Sequence, residues 1–400
     1  MFALLATLTV LLSVIGISVR GQRPTLPMPP PMPKSWPPTD EASPIPDTFL
    51  QDQLVTSALA YVQAVVPGNY LNIPPSKYTS SCVAAYPQNA AVPNCYWPND
   101  QCVRANDTAA FKADVVTCPG ENVWGLTYDD GPSVKVVNGK NVNDTIALRT
   151  ALAALNNQKA TFFIVGAMGA SHPEEIQQTY AAGHQIAAHT WTHWTSTALS
   201  NAQFVAELKY TEALIYNATG VIPRYWRPPC GDVDDRIRAI ADALGYRTIL
   251  WSTSPDRDST DANVDDHSAS STQKLLEIVK TWFVGQPGFI SLEHDISTFT
   301  SGLAIQILDA IKQMGPGFPL KMMPIGTCMN EPFYRSNDAT STVPTPTATT
   351  ASVSTNSLGS AAVPPTVPAR SGSRSLFTSD SSAVSKAMLT ALAAVLLLYL

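Results

Sequence analysis

Residues 122–132 read NVWGLTYDDGP. The run Val123–Thr127 has the length and apolar character of a buried strand. Asp129 and Asp130 follow it, and a Gly-Pro turn ends the stretch. Two adjacent carboxylates at a strand end repel one another unless a cation or an arginine compensates. From here to about Met329, short apolar runs alternate with amphipathic stretches of helical length. The candidate strands are Val123–Thr127, Ala160–Val165, Gln185–Ala187, Arg224–Trp226, Arg247–Trp251, Phe289–Leu292 and Lys321–Met323. The candidate helices between them are Asp144–Asn157, Pro173–Ala182, Asn201–Tyr216, Asp232–Leu244, Thr272–Phe283 and Gly302–Gln313. Strict alternation implies an α/β fold with a parallel sheet, and about seven strands without a long gap imply a barrel or near-barrel. In such folds the chemistry sits at the C-terminal ends of the strands.

Polar groups concentrate at those ends. After the third strand comes HTWTH, with His189 and His193 four apart; on a helix they share a face and can share a metal ion. Imidazole with carboxylate is a borderline ligand set that suits zinc. After the fourth strand comes Arg227-Pro228-Pro229-Cys230-Gly231. The prolines fix the backbone, Gly231 permits close approach of a ligand, and a rigid arginine suits a carboxylate. After the sixth comes Leu292-Glu293-His294-Asp295, where His294 can serve as a general acid beside an apolar wall from Leu292.

The flanks have other compositions. The whole chain of 400 residues carries a net charge of −6 and no basic run, which argues against nucleic acid and against a polybasic membrane patch. Residues 1–21 have signal-peptide length, with cleavage expected before Gln22. Residues 22–117 comprise a proline-rich lead-in and a segment with Cys82, Cys95 and Cys102. That segment is either a small stapled subdomain or an extension wrapped on the main domain; the second is favoured. Residues 118–335 form the main domain. Residues 336–370, rich in Ser, Thr and Pro, read as a disordered stalk. Residues 371–400 combine small residues near Ser371, a polar spacer and an apolar tail, the pattern of a GPI-anchor signal removed on maturation. Sequons at Asn106, Asn143 and Asn217, and six cysteines, fit an exported, disulfide-bonded glycoprotein on the outer face of a membrane or in a wall.

Taken in order, Asp129-Asp130-Gly131, His189-x-x-x-His193, Arg227-Pro-Pro-x-Gly231 and Leu292-x-His294 resemble four of the five motifs of the polysaccharide deacetylases. This is carbohydrate esterase family four, with its NodB-like fold. The likeness covers about Asn122 to Met329. The anchor signal, stalk and extension are most similar in kind to fungal chitin deacetylases. The resemblance implies a distorted (β/α) barrel and one divalent metal ion, zinc or cobalt, on Asp130, His189 and His193. It implies Asp129 as general base, Arg227 as its holder and His294 as the acid for the departing amine. Cys230 (through its backbone N–H), Gly231, Leu292 and Trp251 would line the substrate pocket, and Cys118 and Cys328 would pair. The implied reaction is removal of N-acetyl groups from chitin, giving chitosan and acetate. Other readings are a deacetylase for xylan or peptidoglycan, or an inactive glycan-binding wall protein. One motif departs: the family shows Asp-x-x-Asp-Trp after the fifth strand. The chain is read there as Trp251 to Asp258, with Asp256 or Asp258 as the substitute.

Overall fold

The computed structural model describes residues 25–40 and 43–336; the expected signal peptide, the stalk beyond residue 336 and the anchor signal near Ser371 lie outside them. The barrel strands are β1 Val123–Gly125, β2 Thr127–Asp129, β3 Thr161–Ile164, β4 Gln185–Ala188, β5 Tyr225–Trp226, β6 Arg247–Thr248, β7 Phe289–Ile290 and β8 Lys321–Met323. All their pairings are parallel, in the orders β6-β5-β4-β3-β2 and β7-β1-β8. The expected first strand is therefore two. At Leu126 the chain changes neighbours: its N–H donates to Met323 and its carbonyl accepts from Thr161.

The remaining gap, between β6 and β7, is closed by the segment after β6. Ser252 N–H donates to Ile290 O (3.1 Å), Leu292 N–H to Arg257 O (2.9 Å) and Ser259 N–H to Leu292 O (3.0 Å). The result is a distorted α/β barrel. Two expected strands come out shorter for the same reason. Past β6, Val115 of the extension bridges to Ile249 and accepts from Leu250 N–H, and past β7 Leu292 bridges to Asp258.

The helices of six residues or more are α1 Gln53–Val65, α2 Thr145–Ala154, α3 Gly166–Ser171, α4 Pro173–Ala181, α5 Asn201–Thr219, α6 Asp235–Ala243, α7 Ala269–Lys280 and α8 Thr298–Met314. Caps set several boundaries. Asp144 and Asp234 accept from the N–H groups of Ala147 and Ile237, so α6 starts after Asp234 and not at Asp232. Ser200 and Gln203 form a capping box that opens α5, and Gly220 in the left-handed region ends it.

Helices α1 and α3 have no counterpart in the sequence reading. Helix α1, capped by Asp52, buries Leu54, Val55, Ala58 and Val62 against α5. Twelve consecutive residues of α5, Phe204 to Ile215, are thereby buried all round. These α1 residues and Ile45 belong to the same apolar core as Phe162, Ile186 and Trp226 of the barrel. Trp36 stacks on Trp191, whose indole N–H donates to Pro38 O. Disulfides join Cys118 to Cys328, Cys82 to Cys230 and Cys95 to Cys102. Among the described residues no helix is long and apolar enough to cross a membrane.

Since Leu54 is 1% exposed in the shared core, Leu54→Ala is expected to lower unfolding stability in urea by about 2–4 kcal/mol. A change within about 0.5 kcal/mol would mean that the extension only rests on the surface.

Candidate active site

Strand β2 delivers Asp129 and Asp130 to the barrel mouth, 1% and 7% exposed. Their charges are met from two sides. Arg227, fully buried after β5, donates from one guanidinium nitrogen to Asp129 Oδ1 and Thr127 Oγ1, both at 2.8 Å. Its other nitrogen donates to Leu250 O (3.1 Å), and the guanidinium lies 4.4 Å from the centre of the Phe163 ring. Held at both terminal nitrogens, the guanidinium fixes the orientation of Asp129. Its second oxygen stands 3.8 Å from His189 Nε2.

The histidine pair does not lie on a helix. Residues 189–195 form a loop in which Thr190 and His193 have φ of 63° and 54°. The loop is held from below by Glu207 of α5. Its carboxylate accepts from Trp191 N–H, Thr192 N–H and the Thr192 hydroxyl, each at 2.7 Å. Such bonds substitute for the i to i−4 bonds a helix would supply.

His189 Nδ1 lies 2.8 Å from Arg227 O. A carbonyl only accepts, so Nδ1 carries the proton and Nε2 presents its lone pair. That Nε2 is 3.1 Å, and His193 Nε2 is 3.2 Å, from Asp130 Oδ1. Oδ1 itself is buried with no hydrogen-bond partner. The three ligand atoms lie within 4.8 Å of one another. A tetrahedral zinc site with bonds of about 2.0–2.2 Å has ligand–ligand edges of roughly 3.3–3.6 Å, so the set fits a divalent cation closely.

Facing this cluster, His294 Nδ1 is 2.7 Å from Asp261 Oδ1, and its backbone N–H donates to Asp261 Oδ2 at 3.0 Å. Burial lowers the imidazole's proton affinity, but the Asp261 charge and hydrogen bond outweigh it and push its pKa up to about 10. His294 is thus held as a cation at neutral pH.

Asp261 corrects the sequence reading. Neither Asp256 nor Asp258 holds the histidine: Asp256 is exposed and its carboxylate accepts from Asp258 N–H, while Asp258 bridges to Leu292. Burial pushes the Asp258 carboxyl up to about 6. The segment Asp258-Ser259-Thr260-Asp261 has the Asp-x-x-Asp spacing after all, with Ala262 in the place of the tryptophan. Asp295 was also passed over. It accepts from Gly131 N–H and the Thr145 hydroxyl, and burial pushes its carboxyl up to about 7. A Cβ on Gly131 would overlap that carboxylate.

The pocket residues are partly reassigned. Cys230, at φ 55°, is tied to Cys82, so its side chain is part of a disulfide and not a free thiol facing a ligand. Over Gly231 it is protein that approaches: a Cβ there would overlap the Trp97 ring and lie 3.1 Å from Trp251. Leu292 is 7% exposed beside His294, and Trp251 is half-buried, packed edge-on to Trp97. Of the sequons, Asn106 and Asn217 are exposed and Asn143 is half-buried.

Residues 117–249 match the model of the polysaccharide deacetylase family. The chain is 38% identical over 221 residues to chitin deacetylase 1 of Cryptococcus neoformans var. grubii, covering 53% of this chain and 43% of that protein. It is 32% identical over 262 residues to the chitin deacetylase of Amylomyces rouxii, covering 63% and 56%. The solved structure of the chitin deacetylase from Colletotrichum lindemuthianum aligns with a TM-score of 0.47 at 22% identity, over 56% of this chain and 95% of that one. Over residues 117–249 the chain is similar to the polysaccharide deacetylase family, and it is similar to fungal chitin deacetylases, spanning about half the length of those curated relatives.

The Asp261 pairing is testable without turnover. By NMR titration, His294 is expected to lose its proton near pH 10. In Asp261→Asn the titration should move down towards the ordinary histidine range, because the raising charge is gone. An unmoved titration would show that Asp261 does not hold His294.

Proposed function

We propose that the chain hydrolyses N-acetyl groups of a chitin-type polymer, giving the free amine and acetate. The observation that carries this reading is the convergence on one point of three groups. They are the Asp130–His189–His193 cluster, the arginine-held Asp129 and the cationic His294. The relatives named chitin deacetylase support the choice of substrate.

Asp130, His189 and His193 would hold a divalent ion, zinc or cobalt. When bound, it supplies Lewis acidity at the acetyl carbonyl and makes water a better nucleophile. The chain's own residues do the rest. Asp129 takes a proton from the attacking water as its oxygen bonds to the carbonyl carbon. Arg227 keeps Asp129 aimed. His294 gives its proton to the sugar nitrogen as the C–N bond breaks, so amine and acetate leave. Asp261 keeps His294 charged until that moment. Leu292 would wall the methyl group, and the Cys230 N–H would donate to the developing oxyanion. The reading of an inactive wall protein drew on an impaired fourth motif, and the Asp261–His294 pair removes that support.

The location is proposed on sequence grounds: the apolar leader, the sequons and the small-residue, spacer and apolar-tail pattern around Ser371 support export and a GPI anchor. Release of the full-length protein from cells by a phosphatidylinositol-specific phospholipase C would support the anchor; retention would count against it.

Residues 22–338 are expected to release acetate from chitin hexamer, to stop on chelation and to recover with zinc or cobalt. Release that chelation leaves untouched would end the metal-dependent reading. Asp129→Asn should cut kcat by about 10²–10⁴-fold while retaining the ion. His189→Ala should lose ion and activity together. Loss of the ion in Asp129→Asn would mean the two aspartates are assigned backwards.

A further inference from the structure

The extension contributes one feature that the catalytic reading leaves unused. Its hairpin, Lys77–Ser80 paired with Val83–Ala85, is fastened to the mouth of the barrel at three points. At the root, Ser76 N–H donates to Thr197 O (2.9 Å), and the two hydroxyls are 2.7 Å apart. In the middle, Tyr78 lies on Trp194, with ring centres 4.0 Å apart and planes 20° from parallel. At the tip, Cys82 is joined to Cys230.

Between these fastenings lies a cleft of about 280 Å³ lined by Tyr78, Cys82, His193, Trp194 and Thr195, among others. His193 belongs both to this cleft and to the candidate metal cluster, so the two adjoin. Apart from His193, no acidic or basic side chain lines the cleft. Thr195 is 3% exposed, and its hydroxyl is buried with no hydrogen-bond partner.

An aromatic pair, and a lining without acidic or basic side chains apart from His193, suit a neutral ring with apolar C–H faces and a rim of hydroxyl or amide groups. We propose that this cleft binds a neighbouring sugar of the polymer, next to the one whose acetyl group is removed. The hairpin thereby sets a preference for chains longer than two sugars. The inference rests on the deacetylase reading for the identity of the polymer. It uses a part of the chain, residues 76–82, that lies outside the stretch matching the family.

The test is acetate release by residues 22–338 from N-acetylglucosamine pentamer and dimer, comparing wild type, Tyr78→Ala and Tyr78→Phe. The expected result is that Tyr78→Ala lowers the pentamer-to-dimer ratio of kcat/KM about tenfold, mainly through KM for the pentamer. Tyr78→Phe, which keeps the ring, should keep the ratio. An equal loss on both substrates would mean that the hairpin only props His193, and would overturn the proposal; so would an unchanged ratio in Tyr78→Ala. If wild type releases no acetate from either oligomer, the deacetylase reading fails separately. Calorimetric titration with the pentamer then decides the cleft. Affinity lost in Tyr78→Ala and kept in Tyr78→Phe supports it, and equal affinity in all three overturns it.

Discussion

Two carboxylates stand side by side at the end of β2, almost excluded from water, and the site depends on how their repulsion is resolved. Asp129 is neutralised by Arg227, which is itself fully buried and fixed by Thr127, Leu250 O and the Phe163 ring. Asp130 faces two imidazoles and leaves a buried oxygen with no proton donor bonded to it. One acid is thereby committed to a fixed organic cation and the other to a site shaped for a metal ion. That division would let adjacent residues of one type take the separate roles proposed for them, base and ligand. His294 completes the arrangement as a cation held by a third carboxylate, Asp261.

The barrel positions these groups through its irregularities. The first strand changes neighbours at Leu126, which places Asp129 against the segment 291–295 and brings His294 and Asp295 to the same end. The segment after β6 closes the barrel by pairing with Leu292, and so carries Asp261 to His294. A regular barrel with a full ladder between β6 and β7 would have no room for that segment. The extension is equally part of the architecture: α1 covers α5, whose Glu207 supports the histidine loop from beneath.

Much of this was legible in the sequence because it is written in local patterns. Strand and helix alternate with their own periodicities, and Asp129, Asp130, His189, His193, Arg227 and His294 follow strand ends in order. What was not legible depends on long-range contacts. Asp261 lies ten residues beyond Trp251 in a polar loop. Only the closure of the barrel shows that it, and not Asp256 or Asp258, meets His294. Four-residue spacing by itself brings the histidine pair together only on a helix; here a loop held by the buried Glu207 of α5, the helix that follows, brings them together. Helix α1 had usable spacing at Leu54, Val55, Ala58 and Val62, but in a segment crowded with prolines and cysteines. The pairing of Cys82 with Cys230 was beyond reach, since spacing carries no information about connectivity.

In the proposed site Asp130, His189 and His193 bind the ion while Asp129 stays with Arg227. Anomalous diffraction from crystals of residues 22–338 grown with zinc tests it most directly. The account predicts one strong peak about 2.0–2.2 Å from Asp130, His189 Nε2 and His193 Nε2, with Asp129 still on Arg227 and outside the coordination sphere. A peak coordinated by Asp129, or no peak between the histidines, would contradict it.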